Sequence, residues 1–87
     1  MVDAKVLSMF YVYAISSCVR NYIYVGLTDN VERRLTEHNK GENRSTKAYK
    51  PFELIFEEEH QTTMEARARE KYLKRRVGKE YLRALLR

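Results

Sequence analysis

The chain is short of the residues that punctuate or staple a backbone: among 87 residues there are one cysteine, one proline and three glycines. A single thiol, Cys18, cannot close an internal disulfide, and no Cys/His cluster has zinc spacing, so a disulfide scaffold and a zinc ribbon are both excluded. Cys18 falls in an expected turn with no base beside it and reads as a spectator rather than a nucleophile. Few glycines and prolines, with 44% apolar and 33% charged residues, exclude a low-complexity tail and fit a globular domain. No apolar run approaches the roughly 20 residues a membrane-spanning helix needs, and there is no internal repeat. Met1 to Ser8 has neither the basic start nor the apolar centre of a secretion signal. These residues read as an N-terminal extension to one domain over 9–87, expected in the cytoplasm and away from membranes.

What the chain has is positive charge, unevenly placed. Its net charge is +5, with 8 Lys/Arg against 9 Asp/Glu in residues 1–60 and 9 against 3 in residues 61–87. A second basic stretch holds Arg33, Arg34, Lys40, Arg44, Lys47 and Lys50 against Glu37 and Glu42. Two such patches favour a polyanionic partner such as nucleic acid, although solvated helix faces account for the composition equally well.

The chain also has seven tyrosines, and four of them (Tyr11, Tyr13, Tyr22, Tyr24) fall between positions 11 and 24. Met9 to Ile15 is rich in β-branched and aromatic residues and ends at Ser16-Ser17, which predicts a strand and a turn. Tyr22 to Val25 forms the partner strand of an antiparallel hairpin, so Tyr13 and Tyr24 can share a face. Gly26 ends that strand and permits an unusual backbone angle or close approach by a ligand. Asp29 and Glu32 form a capping box for a helix on which Val31, Leu35 and His38 recur until Gly41 stops it. Arg34 and His38, four apart, project from one side of it. Residues 41–51 form a basic, hydroxyl-bearing loop.

Phe52, Leu54 and Phe56 alternate with Glu53, Ile55 and Glu57, predicting a third strand with an acidic outer side that would turn DNA away. Thr62 and Glu65 cap a helix running to about Arg76, Gly78 breaks it, and Lys79 to Leu86 forms a last short helix. Within the longer helix Ala66, Leu73 and Val77 share a face with Glu70. A carboxylate there needs a metal ion or a cation as partner; surface pairing with Arg67 or Lys74 is the plainer reading of that spacing. Taken together, the chain offers one carboxylate for a hard divalent ion, an arginine for a phosphate, and Tyr or His for a proton. Those are the requirements of phosphodiester hydrolysis at a single-metal site.

On these residues the sequence resembles the GIY-YIG nucleases, in particular small stand-alone bacterial members related to the N-terminal domain of the excision-repair nuclease subunit. Tyr11-Val12-Tyr13 looks like the first signature and Tyr24-Val25-Gly26 like the second. Arg34 lies ten residues after Tyr24, His38 four further on, and Ala66-Arg67-Ala68-Arg69-Glu70 carries the acidic position. Each tripeptide alone is weak, but five matches in order are specific.

The resemblance implies an α+β fold, a three-stranded antiparallel sheet flanked by helices, with the Tyr24–Gly26 and Phe52–Glu59 strands around Tyr11–Ile15. It also implies a metal-dependent DNA endonuclease acting in DNA repair, recombination or processing, with no small-molecule cofactor. By carry-over Glu70 binds one Mg2+ or Mn2+ ion, and Tyr13 and Tyr24 position or deprotonate the attacking water. Arg34 holds the scissile phosphate, and His38 is a proton acceptor or phosphate contact. A phenol of ordinary pKa, near roughly 10, needs Arg34 or the metal to stabilise its anion. Three positions depart from the family pattern: Tyr11 stands for the glycine of the first signature, Leu27 for a lysine, and no asparagine follows Glu70. Arg33, Arg44, Ser45, Thr46, Lys47 and Lys50 are the expected nucleic-acid contacts. The alternative is a non-catalytic nucleic-acid-binding module on the same scaffold.

Overall fold

A computed structural model describes residues 9–86, so the expected N-terminal extension lies outside the described residues. The elements are β1 (Phe10–Ser17), β2 (Ile23–Thr28), α1 (Val31–Asn39), β3 (Phe52–His60), α2 (Thr63–Lys74) and α3 (Arg76–Ala84), with a 3-10 turn at Lys47–Tyr49 before β3. The strands form one antiparallel sheet in the order β2-β1-β3, the expected order. With helices on both faces, the fold is α+β.

The pleat of β1 sorts the core into two layers. Val12 and Ala14 point to one face, where Ile23 and Val25 of β2 join Ala66 and Leu73 of α2 and Leu82 of α3. Tyr13 and Ile15 point to the other, packed with Val31 of α1 and Phe52 of β3. Since the central strand is buried on both sides, it reads as a continuous apolar run with tyrosines in it.

Several boundaries differ from the sequence expectation, each for a local reason. β2 continues through Gly26 to Thr28, because ladder pairing with Tyr13 and Tyr11 outweighs the cost of a strand glycine. The N-cap of α1 is Asn30, whose side chain accepts from the Arg33 backbone N–H at 2.9 Å, while Asp29 instead pairs with the Arg33 guanidinium at 3.0 Å. Thr62 caps α2 as expected, accepting from Glu65 N.

β3 does not keep Phe52, Leu54 and Phe56 on one side. Ala14 pairs with Phe56 but Ile15 with Leu54, leaving Ile55 unpaired in a bulge. The bulge reverses parity, so Phe52 faces the Tyr13 layer and Phe56 packs with the Val12 layer. The chain turns between α2 and α3 at Arg75, held extended (φ −77°, ψ 166°), and Gly78 sits inside α3 rather than breaking a helix. A Cβ at Gly78 would collide with Leu73 Cα and the Tyr72 carbonyl oxygen, so the glycine is there to let two helices touch at backbone distance. Val77, expected on the packed face with Ala66 and Leu73, is 56% exposed.

Candidate active site

The site begins with a hole in β2. Tyr13 on β1 pairs with Gly26, and a Cβ at Gly26 would lie 2.7 Å from the Tyr13 hydroxyl oxygen and 2.8 Å from its ring. The tyrosine ring therefore lies across the glycine, carrying its hydroxyl from the central strand over an edge strand. The close approach expected at Gly26 is made by Tyr13, and Gly26 is not among the residues with positive φ. Tyr24 lies diagonally on the same face, opposite Ile15, with its ring centroid 6.1 Å from that of Tyr13.

α1 supplies the other half. Its C-terminal end is closed by Gly41 at φ 79°, where Glu42 N donates to Glu37 O at 3.0 Å and Gly41 N to His38 O at 3.1 Å. This paired closure needs a left-handed residue, which glycine adopts without cost. It fixes the last turn, and with it His38, whose side chain is fully buried. The Tyr13 hydroxyl is hydrogen-bonded to His38 Nε2 at 3.0 Å, and His38 Nδ1 lies 2.8 Å from Thr46 Oγ1. The Tyr24 ring packs on the imidazole at 4.8 Å between centroids, and Phe52 at 5.8 Å. Asn39, one residue on, clasps the start of β3: its Oδ1 accepts from Phe52 N at 2.6 Å and its Nδ2 donates to Phe52 O at 3.2 Å.

Burial and charge decide the protonation states. Tyr13 is pushed up to about 12 by its burial and by neighbouring Tyr24, against the pull of Arg34. Phenolate at neutral pH would lie about five units uphill, or about 7 kcal/mol at 1.36 kcal/mol per unit, so Tyr13 is a neutral hydrogen-bond donor. Arg34 favours the Tyr13 anion, as expected of it, but desolvation and Tyr24 outweigh the guanidinium. His38 is pushed down from its ordinary value by burial and then by Arg34, with Glu37 opposing. It is therefore neutral at pH 7, with one ring nitrogen protonated and the other an acceptor.

Arg34 is held by Glu37, whose Oε1 accepts from Nη1 at 2.6 Å. Burial works against the guanidinium's charge, but Glu37 and Tyr13 outweigh it and its pKa is raised. Tyr13, Tyr24, Arg34 and His38 are thus brought together on one face of the sheet. Glu70 stands apart from them in its contacts. It belongs to α2, which packs on the opposite face through Ala66 and Leu73, and its Oε2 pairs with Lys74 Nζ at 3.2 Å. Its side chain is 17% exposed, in a groove with Met64, Arg67, Ala68, Lys71 and Lys74. Among the described residues no group of three or more His, Cys, Asp or Glu side chains could hold a metal ion.

Of the expected nucleic-acid contacts, Arg44, Ser45, Lys47 and Lys50 are exposed in the loop before β3. Arg33 is exposed but paired with Asp29 and Glu37. Thr46 does not belong with them: it is fully buried and its hydroxyl faces His38. Its role as the histidine's partner had no signal in sequence, since eight residues of irregular loop separate the two. Glu37 as the partner of Arg34 was legible, being three residues on along a helix.

Comparison with known proteins adds the family. The model of the GIY-YIG catalytic domain matches residues 9–82. A UPF0213 protein of Natronomonas pharaonis is 40% identical over 65 residues, covering 74% of this chain and 75% of its own. The UPF0213 protein YazA of Bacillus subtilis is 35% identical over 69 residues, covering 78% and 70%. A UPF0213 protein of Clostridium perfringens is 33% identical over 78 residues, covering 88% and 83%. No solved structure gives a significant match. Those relatives' names state no activity, but the family match spans both tyrosine signatures, Arg34, His38 and Glu70. The chain belongs to the GIY-YIG family of nuclease-type catalytic domains.

Proposed function

We propose that this protein is a divalent-metal-dependent endonuclease that hydrolyses phosphodiester bonds in DNA. The observation that carries the reading is the Tyr13–His38 hydrogen bond of 3.0 Å, joining two side chains 25 residues apart, with Tyr24 packed on the same imidazole. A buried tyrosine hydroxyl needs a hydrogen-bond partner, and a neutral imidazole is one that can also take up its proton. Tyr24 is the partly exposed phenol and holds the attacking water; Tyr13, fully enclosed, lies behind it. As the water attacks, its proton passes to the Tyr24 oxygen, the Tyr24 proton to Tyr13, and the Tyr13 proton to His38 Nε2. Arg34 exchanges Glu37 for a phosphate oxygen, with which its fork of donors forms a charge-assisted bond.

Glu70 is the carboxylate that would hold the ion. Because α2 packs on the face of the sheet away from Tyr24 and Arg34, the reading requires the bound phosphate to reach it from that other face. Glu70 has one oxygen on Lys74, and Mg2+ or Mn2+ can be held by a single carboxylate with waters and substrate phosphate completing its shell. Held there, such an ion would supply positive charge to a phosphate oxygen. A role in DNA repair, recombination or processing agrees with this chemistry.

The test is incubation with duplex, single-stranded, flap and branched DNA in Mg2+ or Mn2+. We expect nicking or cleavage that Tyr24→Phe and Arg34→Ala reduce and Glu70→Gln abolishes with the fold intact. Equal cutting by Glu70→Gln would remove the metal assignment. One observation favours a second reading, a non-catalytic nucleic-acid-binding module: both Arg34 and Glu70 are engaged by side chains of their own helices. Salt-sensitive DNA binding with no metal requirement and no cutting of any substrate would select it.

A further inference from the structure

Thr46 is the last polar group in the line Tyr13–His38–Thr46, and the line has a direction. The Thr46 hydroxyl lies 2.8 Å from His38 Nδ1 and 3.4 Å from the Asn43 carbonyl oxygen. A carbonyl can only accept, and Asn43 O also accepts from Lys47 N at 3.0 Å; with the threonine proton on that oxygen, the hydroxyl's lone pair faces Nδ1. Nδ1 then carries the imidazole proton, and Nε2 presents a lone pair to the Tyr13 hydroxyl at 3.0 Å. With the opposite tautomer Nε2–H would point at Tyr13, whose proton would have to leave toward Tyr24. The proton path toward His38 would then be closed.

We propose that Thr46 is a positioning residue that fixes His38 in the Nδ1–H tautomer and so keeps Nε2 open as the acceptor for Tyr13. This deepens the nuclease reading above and rests on it for its catalytic consequence, though not for the tautomer itself. Three observations support it. Thr46 and His38 are both fully buried, so no water can substitute for the hydroxyl without rearrangement. Burial and Arg34 keep His38 neutral, the only state in which a tautomer choice exists. Thr46 is also fixed by its backbone, donating its N–H to Asn43 O at 3.2 Å and accepting at its carbonyl from Tyr49 N at 2.9 Å. The other charged or titratable groups around the imidazole are Tyr13 on β1, Tyr24 on β2, and Arg34 and Glu37 on α1. None of these is in hydrogen-bond contact with Nδ1 among the described residues.

The direct experiment is 15N NMR of histidine-labelled protein at neutral pH, without metal or DNA, for the wild type, Thr46→Val and Thr46→Ser. The wild type and Thr46→Ser are expected to show a protonated Nδ1 and an unprotonated Nε2 at His38, and Thr46→Val is expected to shift the population toward Nε2–H. A wild type already in the Nε2–H form overturns the proposal whether or not the variants fold, and so does a folded Thr46→Val with an unchanged tautomer. In cleavage assays kcat of Thr46→Val should fall by up to about 10²-fold, within the range for general acid–base catalysis, with KM nearly unchanged and Thr46→Ser restoring most of it. An unchanged kcat alongside a shifted tautomer removes the positioning role. If the wild type cuts no DNA, the nuclease reading fails while the tautomer result still stands or falls by itself.

Discussion

A missing side chain at position 26 decides where a tyrosine hydroxyl can go. Any Cβ there would lie within 2.8 Å of the Tyr13 ring, which is walled in on all sides and cannot swing away. Gly26→Ala should therefore cost about 1–3 kcal/mol, the usual range for overpacking, and lengthen or break the Tyr13–His38 bond. Thermal denaturation measures the first and the Tyr13 titration the second; a variant as stable as the parent with an unmoved ring would refute the account. His38 supplies a pH prediction at the same scale. Its folded pKa lies below the unfolded value of roughly 6.5, so the unfolded chain binds more protons between those two values. The stability contributed by neutral His38 is fully present above about pH 6.5 and is lost as pH falls through the folded pKa. Urea midpoints from pH 7.5 down to 5 should fall more in the parent than in His38→Gln. Parallel curves would show that the histidine is not held neutral. Tyr13, Tyr24, Arg34 and His38 are all legible as a set because tripeptide and helical spacings carry them. Thr46 reads from sequence as a DNA contact, since nothing in an irregular loop says which hydroxyl turns inward.

At the scale of elements, existence is easier to read than ends or faces. Strand alternation and the Thr62 cap predict β1, β3 and α2, but the bulge at Ile55 reverses the last part of β3. A bulge depends on how two strands meet, and one strand's alternation does not contain it. The α2–α3 corner shows the same limit. Gly78 reads as a helix breaker by propensity, yet it lies within α3 against the backbone of Leu73 and Tyr72. Gly78→Ala would raise helix propensity, which alone predicts a gain of up to about 1 kcal/mol. Because the added methyl would meet backbone rather than a movable side chain, the loss wins, and we expect destabilisation of about 1–3 kcal/mol. Val77→Ala, one residue away and 56% exposed, should change stability by less than about 0.5 kcal/mol. Comparing the two melting temperatures separates packing from propensity. A stabilised Gly78→Ala would mean that the two helices are free to move apart.

For the whole molecule, the division of the sheet into two faces determines which basic patch can serve the proposed site. The loop before β3 lies on the Tyr13 side, where Tyr49 packs with that layer, while α3 is fastened to the other side through Leu82. The sequence shows both patches but not their sides, since a face is assigned only when the helices dock. β3 is an edge strand and exposes Glu53, Glu57 and Glu59, which blunts edge pairing and opposes a polyanion along that border. DNA bound at Tyr24 and Arg34 should therefore run over Lys47 and Lys50 and leave the α3 surface free. Removing one cation that neutralises a phosphate lowers the slope of log K against log salt by about 0.9 for duplex DNA. Lys47→Ala with Lys50→Ala should reduce that slope by nearly twice this amount. The exposed pair Arg75→Ala with Arg83→Ala should leave it unchanged although it removes the same charge. Titrations of a labelled duplex between about 50 and 200 mM salt, without metal so that nothing is cut, read both. Equal reductions from the two pairs would mean that net charge alone drives binding, and a reduction confined to the second pair would put the DNA on the opposite face from Tyr24.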